Sequence, residues 1–216
     1  MYVNEIMVTD VITIYPDASL SIAFQMMVEK GFSQLPVVKD GELIGLITEK
    51  VLSEFTPSKA TTLSIYEMNY ILGKTKCEDI METNIITSSK EALVEDFAFL
   101  IKENNISALP IIDENNKLEG IITDDDILGA FIEIVGKNDS GTRIALEAKN
   151  QVGVLADIAA TISSYDMNIT HVMDYYSQKH KESAEIIIRV NSLDTDELVK
   201  EFETKGYKVV SIVKTK

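Results

Sequence analysis

The sequence has little of what most chemistry needs. Its 216 residues hold one cysteine, Cys77, no tryptophan, four prolines and ten glycines. A single thiol closes no internal disulfide and supplies no ligand set for zinc. A reducing compartment is therefore expected, with Cys77 a small, partly buried hydrophobe. So few prolines and glycines argue against long disordered linkers. No apolar run approaches the roughly 18 residues of a membrane helix. The opening Met1-Tyr2-Val3-Asn4-Glu5 lacks the basic start of a secretory leader. The cytoplasm is the expected setting, with no membrane partner.

Positive charge is also scarce, and unevenly so. Residues 1–141 hold 10 Lys+Arg against 24 Asp+Glu, a balance of −14, and residues 142–216 hold 10 against 11, which completes the net −15. An acidic front half repels phosphate backbones, so nucleic acid is excluded as its expected partner. Catalytic equipment is missing too. His171 and His180 stand nine apart, away from helical metal-ligand spacing, and read as a strand and a loop residue. No Gly-x-Ser-x-Gly turn, phosphate-binding glycine loop or zinc motif is present. No catalytic residue and no metal site are expected.

What is present is a repeat. Glu5-Ile6-Met7 recurs as Asp79-Ile80-Met81, Val11-Ile12-Thr13 as Ile85-Ile86-Thr87, and Ser33-Gln34-Leu35-Pro36 as Ser107-Ala108-Leu109-Pro110, all at an offset of 74. Gly45-Leu46-Ile47-Thr48 then recurs as Gly120-Ile121-Ile122-Thr123 at an offset of 75. The slip falls between Lys39–Glu42 and Asp113–Lys117, a hairpin turn, where an insertion costs least. Each unit reads as strand, helix, strand, strand, helix. Val11–Ile14 is a strand, and Pro16-Asp17 opens a helix with Leu20, Ala23, Phe24 and Met27 on one face. Leu35–Val38 and Leu43–Ile47 flank Asp40-Gly41 as a hairpin, and a helix follows from Thr48. The second unit places Val94, Phe97, Ala98 and Ile101 on its first helix.

The Ile-Met opening, the Ser-x-Leu-Pro strand entry and the Gly-h-h-Thr-x-x-Asp end, where h is apolar, resemble the cystathionine-β-synthase (CBS) domain pair, or Bateman module. The resemblance covers roughly residues 1–135. It places one domain at 1–56, a helical linker at 57–76 and a second domain at 77–135. It implies an adenosine compound bound in clefts between the two units. In the second unit the implied set is Ile85, Ile86, Ile106, Ser107, Ala108, Leu109, Pro110, Thr123 and Asp126. There a threonine at a helix start offers a hydroxyl and N–H groups to a phosphate, the aspartate accepts from a ribose diol, and apolar backbone shapes an adenine slot. The first unit offers a weaker set of Val11, Ile12, Phe32, Ser33, Pro36, Thr48 and Lys50, because Val51 stands where aspartate is needed. Where an arginine is common in the family, this chain has Asp124 and Asp125. Adenosine monophosphate or S-adenosylmethionine is therefore favoured over adenosine triphosphate, which would need Mg²⁺. The Asp-Asp-Asp run itself reads as a solvated helix start before it reads as a metal site. No cofactor is required.

After the polar linker 136–141 the pattern changes. Arg143–Ala148 is a strand, and Asn150–Gly153 turns into a helix with Val154, Leu155, Ile158, Ala159 and Ile162 inward. Strands at Asn168–Tyr175 and Ser183–Val190 flank a polar loop, Ser177–Glu182. Asp194-Thr195-Asp196 caps a helix bearing Leu198, Val199 and Phe202, and Tyr207–Val213 closes the sheet. This is the βαββαβ order of a ferredoxin-like fold. Asn150-Gln151-Val152-Gly153-Val154-Leu155-Ala156, with Asn168-Ile169, resembles an ACT domain over residues 142–216. The resemblance implies an amino-acid ligand held by Asn150, Val152, Gly153, Val154, Leu155, Asn168 and Ile169. The fold class expected is α/β and α+β, two CBS domains followed by an ACT domain. That order resembles the acetoin-utilisation accessory proteins of bacteria. Function then reads as a regulatory sensor, a homodimer that passes ligand state to an unknown regulated protein. The alternative is a ligand-free scaffold for dimerisation or interaction.

Overall fold

The computed structural model describes residues 1–55, 65–175 and 183–216, which form two compact units, Met1–Leu128 and Gly129–Lys216. The expected linker positions 57–64 and the loop Ser177–Glu182 with His180 lie outside the described residues.

In the first unit, α1 (Leu20–Lys30) is followed by the hairpin β1 (Gln34–Lys39) and β2 (Glu42–Thr48), then α2 (Glu49–Phe55). Helices α3 (Ile65–Lys74) and α4 (Cys77–Ile80) lead to the second copy: α5 (Val94–Asn104), β3 (Ala108–Ile112), β4 (Leu118–Thr123) and α6 (Asp124–Ile134). The first hairpin turns on Asp40 and Gly41, with φ of 55° and 89°. Two consecutive positive φ values give the tight turn whose twist matches the strands. The second hairpin, longer by one residue, is held by the Asp113 carboxylate, which accepts from the Asn115 and Lys117 amides, both at 2.8 Å. The Lys117 amide above all holds that carboxyl below its usual range.

The expected strand at Val11–Ile14 does not form as a ladder. Ile14 makes one parallel bridge to Val37, its amide donating to the Pro36 carbonyl and its carbonyl accepting from the Val38 amide. Extending the pairing in either direction needs an N–H at Pro16 or Pro36, and proline has none. Pro110 blocks the same step beside Ser88, which bridges to Ile111. Helix α1 likewise begins at Leu20, not at Pro16. Leu20, Ala23 and Met27 are buried on its inner face, whereas Phe24 is 39% exposed and rides its edge.

The opening segments of the two copies are exchanged. Val3, fully buried, packs with Phe97, Leu109, Ile111 and Ile122 of the second copy, and the amide of Val8 donates to the Ile121 carbonyl. Reciprocally, Cys77 is buried with Leu20, Leu35 and Ile47 of the first copy, and Glu82 and Leu46 exchange two backbone bonds. Burial pushes the Cys77 thiol up to about 11. The glycine in each Gly-h-h-Thr motif is where the exchanged methionine lands. A Cβ at Gly45 would collide with Met81, and one at Gly120 would lie 2.8 Å from Met7 Sδ and 3.0 Å from the Val8 carbonyl. The two motifs are thus the halves of one contact, and only glycine leaves room for it. Near the local two-fold, Ser33 Oγ and Ser107 Oγ are 2.8 Å apart, and Asn116 Nδ2 donates to the Leu43 carbonyl.

The second unit contains β5 (Gly141–Lys149), α7 (Val154–Ser164), β6 (Ile169–Tyr175), β7 (Ser183–Val190), α8 (Asp196–Thr204) and β8 (Lys208–Thr215). The strands form one antiparallel sheet in the order β6-β7-β5-β8. Ile144, Leu146, Ile186 and Ile188 pack against Ile158, Ile162, Leu198 and Phe202. Leu155, expected inward, is 49% exposed. Thr195 sits at the start of α8, but its hydroxyl is buried without a partner and makes no cap. Two helices are tied to the sheet at Asp157, which accepts from Lys205 Nζ and Tyr207 Oη, both at 2.7 Å. The Lys205 ammonium, then the Tyr207 hydroxyl, hold this carboxyl below its usual range. Among the described residues no helix is long and apolar enough to cross a membrane.

Candidate functional site

The cleft in the first unit is built from both copies. The Thr123 end of β4 and the first residues of α6 come from the second copy, and the facing wall comes from the first. A cavity of about 260 Å³ is lined by Val8, Val11, Ile12, Phe32, Ser33 and Pro36 on one side. Ser107, Ala108, Ile121, Thr123, Asp124 and Asp125 line the other, and Asp10 and Gln34 complete it. The sequence grouped each set within its own copy. In the structure Thr123 instead shares its cleft with Val11, Ile12, Phe32, Ser33 and Pro36, the residues of the weaker set. Ile85, Ile86, Ile106, Leu109, Pro110 and Asp126 are not among the residues lining this cavity, and Leu109 is wholly buried core. The physical reason is the exchange of opening segments. Val8 bridges to Ile121, which carries the Val11–Ile12 stretch across to the second copy's strand.

At the start of α6, Thr123 and Asp126 form a reciprocal cap. Asp126 Oδ2 accepts from the Thr123 amide at 2.8 Å and from its hydroxyl at 2.7 Å, while the Asp126 amide donates to Thr123 Oγ1 at 3.2 Å. A cap of this kind stabilises a helix end by about 1 kcal/mol. Both bonds fall on one carboxylate oxygen, which leaves Oδ1 for a hydroxyl pair. The N–H groups expected to await a phosphate are instead taken. The Asp124 amide donates to the Ser107 carbonyl and the Asp125 amide to the Asp124 carboxylate, each at 3.0 Å.

The first copy has half of this arrangement. The Val51 amide donates to Thr48 Oγ1 at 3.3 Å, and Val51 itself is buried. The carboxylate missing from the sequence motif arrives from elsewhere. Thr48 Oγ1 donates to Glu82 Oε1 at 3.1 Å, and Glu82 belongs to the exchanged opening segment. No local motif signals a residue 34 positions away. Lys50 is exposed on α2.

In the second unit the expected ligand residues do not converge. Gly153 begins α7 at φ 91°, and Val152 is fully exposed. Asn150 follows Lys149, which pairs with Ser183 at one end of the sheet. Asn168 precedes Ile169, which pairs with Val190 at the other end, its amide donating to Asn191 Oδ1 at 2.9 Å. Seven residues along a strand separate those rows, roughly 23 Å. Val154 does line a polar cavity of about 480 Å³ with Lys149, Lys205 and Tyr207. No cluster of three or more metal-ligating side chains occurs among the described residues.

The comparison with known proteins fits a duplicated unit. The CBS-domain family model matches residues 3–55 and 77–133, half of the chain, and the chain belongs to the CBS-domain family. Homoserine O-acetyltransferase of Methanosalsum zhilinae is 40% identical over 126 residues, which are 58% of this chain and 23% of that enzyme. The crystal structure of protein MJ1225 from Methanocaldococcus jannaschii is 30% identical with a TM-score of 0.53, covering 60% of this chain and 47% of that one. CBSX2, solved in complex with AMP, is 25% identical with a TM-score of 0.51, covering 62% of this chain and 97% of that one. The chain thus spans less than half the length of the first two relatives.

Proposed function

We propose that this chain is a non-catalytic regulatory sensor whose CBS pair binds an adenosine compound in the cleft between Thr123 and the Val11–Ile12 wall. One observation carries the reading. Thr123, whose capping partner Asp126 keeps one carboxylate oxygen for a ribose diol, lines a cleft whose opposite wall is largely apolar and sized for a flat base. The AMP complex of CBSX2 supports the ligand class. Enzymes of unlike chemistry, homoserine O-acetyltransferase and inosine-5'-monophosphate dehydrogenase, share a segment of similar length with this chain. A segment common to both is not what carries either reaction, which supports a regulatory role.

The C-terminal unit is proposed to be an ACT domain, on its βαββαβ order and its Asn150–Ala156 stretch, a turn running into α7. Asn150 and Asn168 lie at opposite ends of one sheet, so an amino acid touching both would need a second copy, in keeping with a homodimer. Ligand that favours one arrangement of the CBS pair shifts its population, and a partner protein reads the shift. The test is calorimetry on the whole chain with AMP, ATP, S-adenosylmethionine and a panel of amino acids, repeated on Asp126→Ala. Adenosine-compound binding that is lost in the variant supports the sensor. No binding by any of them leaves the ligand-free scaffold as the better reading.

A further inference from the structure

We infer that the cleft selects an adenosine compound bearing a positive charge, a sulfonium or an ammonium, over phosphorylated adenosines; the inference rests on the adenosine reading above. Helix starts usually attract anions, through unpaired N–H groups and the positive end of the helix dipole. Here that capacity is already used. The amides of Asp124, Asp125 and Asp126 donate to the Ser107 carbonyl, the Asp124 carboxylate and Thr123 Oγ1. The Thr123 amide and hydroxyl are both spent on Asp126. A phosphate arriving at α6 would find the N–H groups of Thr123 to Asp126 already engaged.

The charge points the same way. Asp10 from the first copy joins Asp124 and Asp125 from the second in lining the cavity, and among the described residues no lysine, arginine or histidine lines it. A helix dipole amounts to about half a positive charge, against three carboxylates. Gln34 adds an acceptor, since its Oε1 is buried without a hydrogen-bond partner and its side chain lines the same cavity. An unpaired buried acceptor favours a ligand that brings N–H or O–H groups. The apolar wall takes the base, and the carboxylates take the cationic tail.

Calorimetry on the whole chain with S-adenosylmethionine, S-adenosylhomocysteine, adenosine and AMP tests this, at low and high salt. The sulfonium compound is expected to bind on the order of tenfold more tightly than its neutral thioether. AMP is expected to bind more weakly than adenosine, and both gaps should narrow in salt. Asp124→Asn/Asp125→Asn, which keeps the acceptors in place, should weaken the first compound and strengthen AMP. Tighter binding of AMP than of adenosine, or a ratio unmoved by the double variant, overturns the charge selection and leaves the sensor standing. If none of the four compounds binds, the sensor reading falls and the selection with it.

Discussion

The exchanged methionines make a quantitative prediction. An alanine at Gly45 would put its Cβ 2.6 Å from Met81 Cγ and 3.0 Å from Met81 Cβ, where carbon atoms prefer about 3.5–4.0 Å. Restricting the unfolded chain by Gly→Ala stabilises by roughly 0.4–1 kcal/mol, and overpacking costs about 1–3 kcal/mol. Gly45→Ala should therefore destabilise by about 1–2 kcal/mol. Met81 is half-buried against the first copy's core, so Met81→Ala should lose about 1–2 kcal/mol, less than a fully buried side chain. In the double variant the new methyl occupies space that Met81 has left. The two losses should then fall short of their sum by about 1 kcal/mol. Urea unfolding of the four proteins measures this, followed by circular dichroism and by exposure of the Cys77 thiol as a probe of the same core. Gly120→Ala provides a contrast, because the Val8 carbonyl 3.0 Å away is backbone that Met7→Ala cannot remove. Its rescue should be smaller. If the losses at Gly45 and Met81 add to within about 0.5 kcal/mol, the exchanged contact is not there.

Other outcomes follow from the same geometry. Burial, then the bond to Asp157, raises the Tyr207 hydroxyl from 10.0 to about 12. The neutral form is favoured in the folded state, so its contribution is full below pH 10 and lost as pH rises towards 12. Tyr207→Phe should lower stability by about 1 kcal/mol at neutral pH and remove that alkaline loss, as seen in denaturation midpoints across pH. The Cys77 thiol, raised from 9.0 to about 11, should react with a disulfide reagent at pH 8 about a hundredfold more slowly in the folded chain than in denaturant. Equal rates would contradict its burial. Asp126→Ala should cost about 1 kcal/mol in unfolding free energy through the lost cap when no ligand is present. An unchanged midpoint would show that the cap contributes nothing.

What could be read in the sequence was local. Asp40-Gly41 gave away its hairpin because few residues accept consecutive positive φ, and the one-residue slip of the repeat marked the second turn. Leu20, Ala23 and Met27 stood out by helical spacing, as did Ile158 and Ile162. Phe24 and Leu155 fit the same periodicity yet sit at its edge, since a helix stripe is wider than the contact it makes. What could not be read depends on segments far apart in the chain. No periodicity tells that Met81 packs on Gly45, or that Thr123 faces Val11 across a cleft. Glu82 reaching Thr48 is the same kind of contact. The strand at Val11–Ile14 failed for a reason that lay in plain view, two prolines lacking the required N–H, but only the pairing partner shows which N–H is required. Asn150 and Asn168 are near in sequence and far in space, because a helix and a turn separate them.

The exchange of opening segments also sets an order of events during synthesis. The first copy's core includes Cys77, so that core closes only after the chain has grown past the first helix, both strands and α3–α4. Val3 and Val8 wait longer still, because Phe97, Leu109 and Ile121 do not yet exist when they leave the ribosome. These residues, made before the first helix, are among the last to find their place. Contacts spanning more than a hundred residues are slow to form, and until they do the growing chain exposes an apolar strip ahead of its first helix.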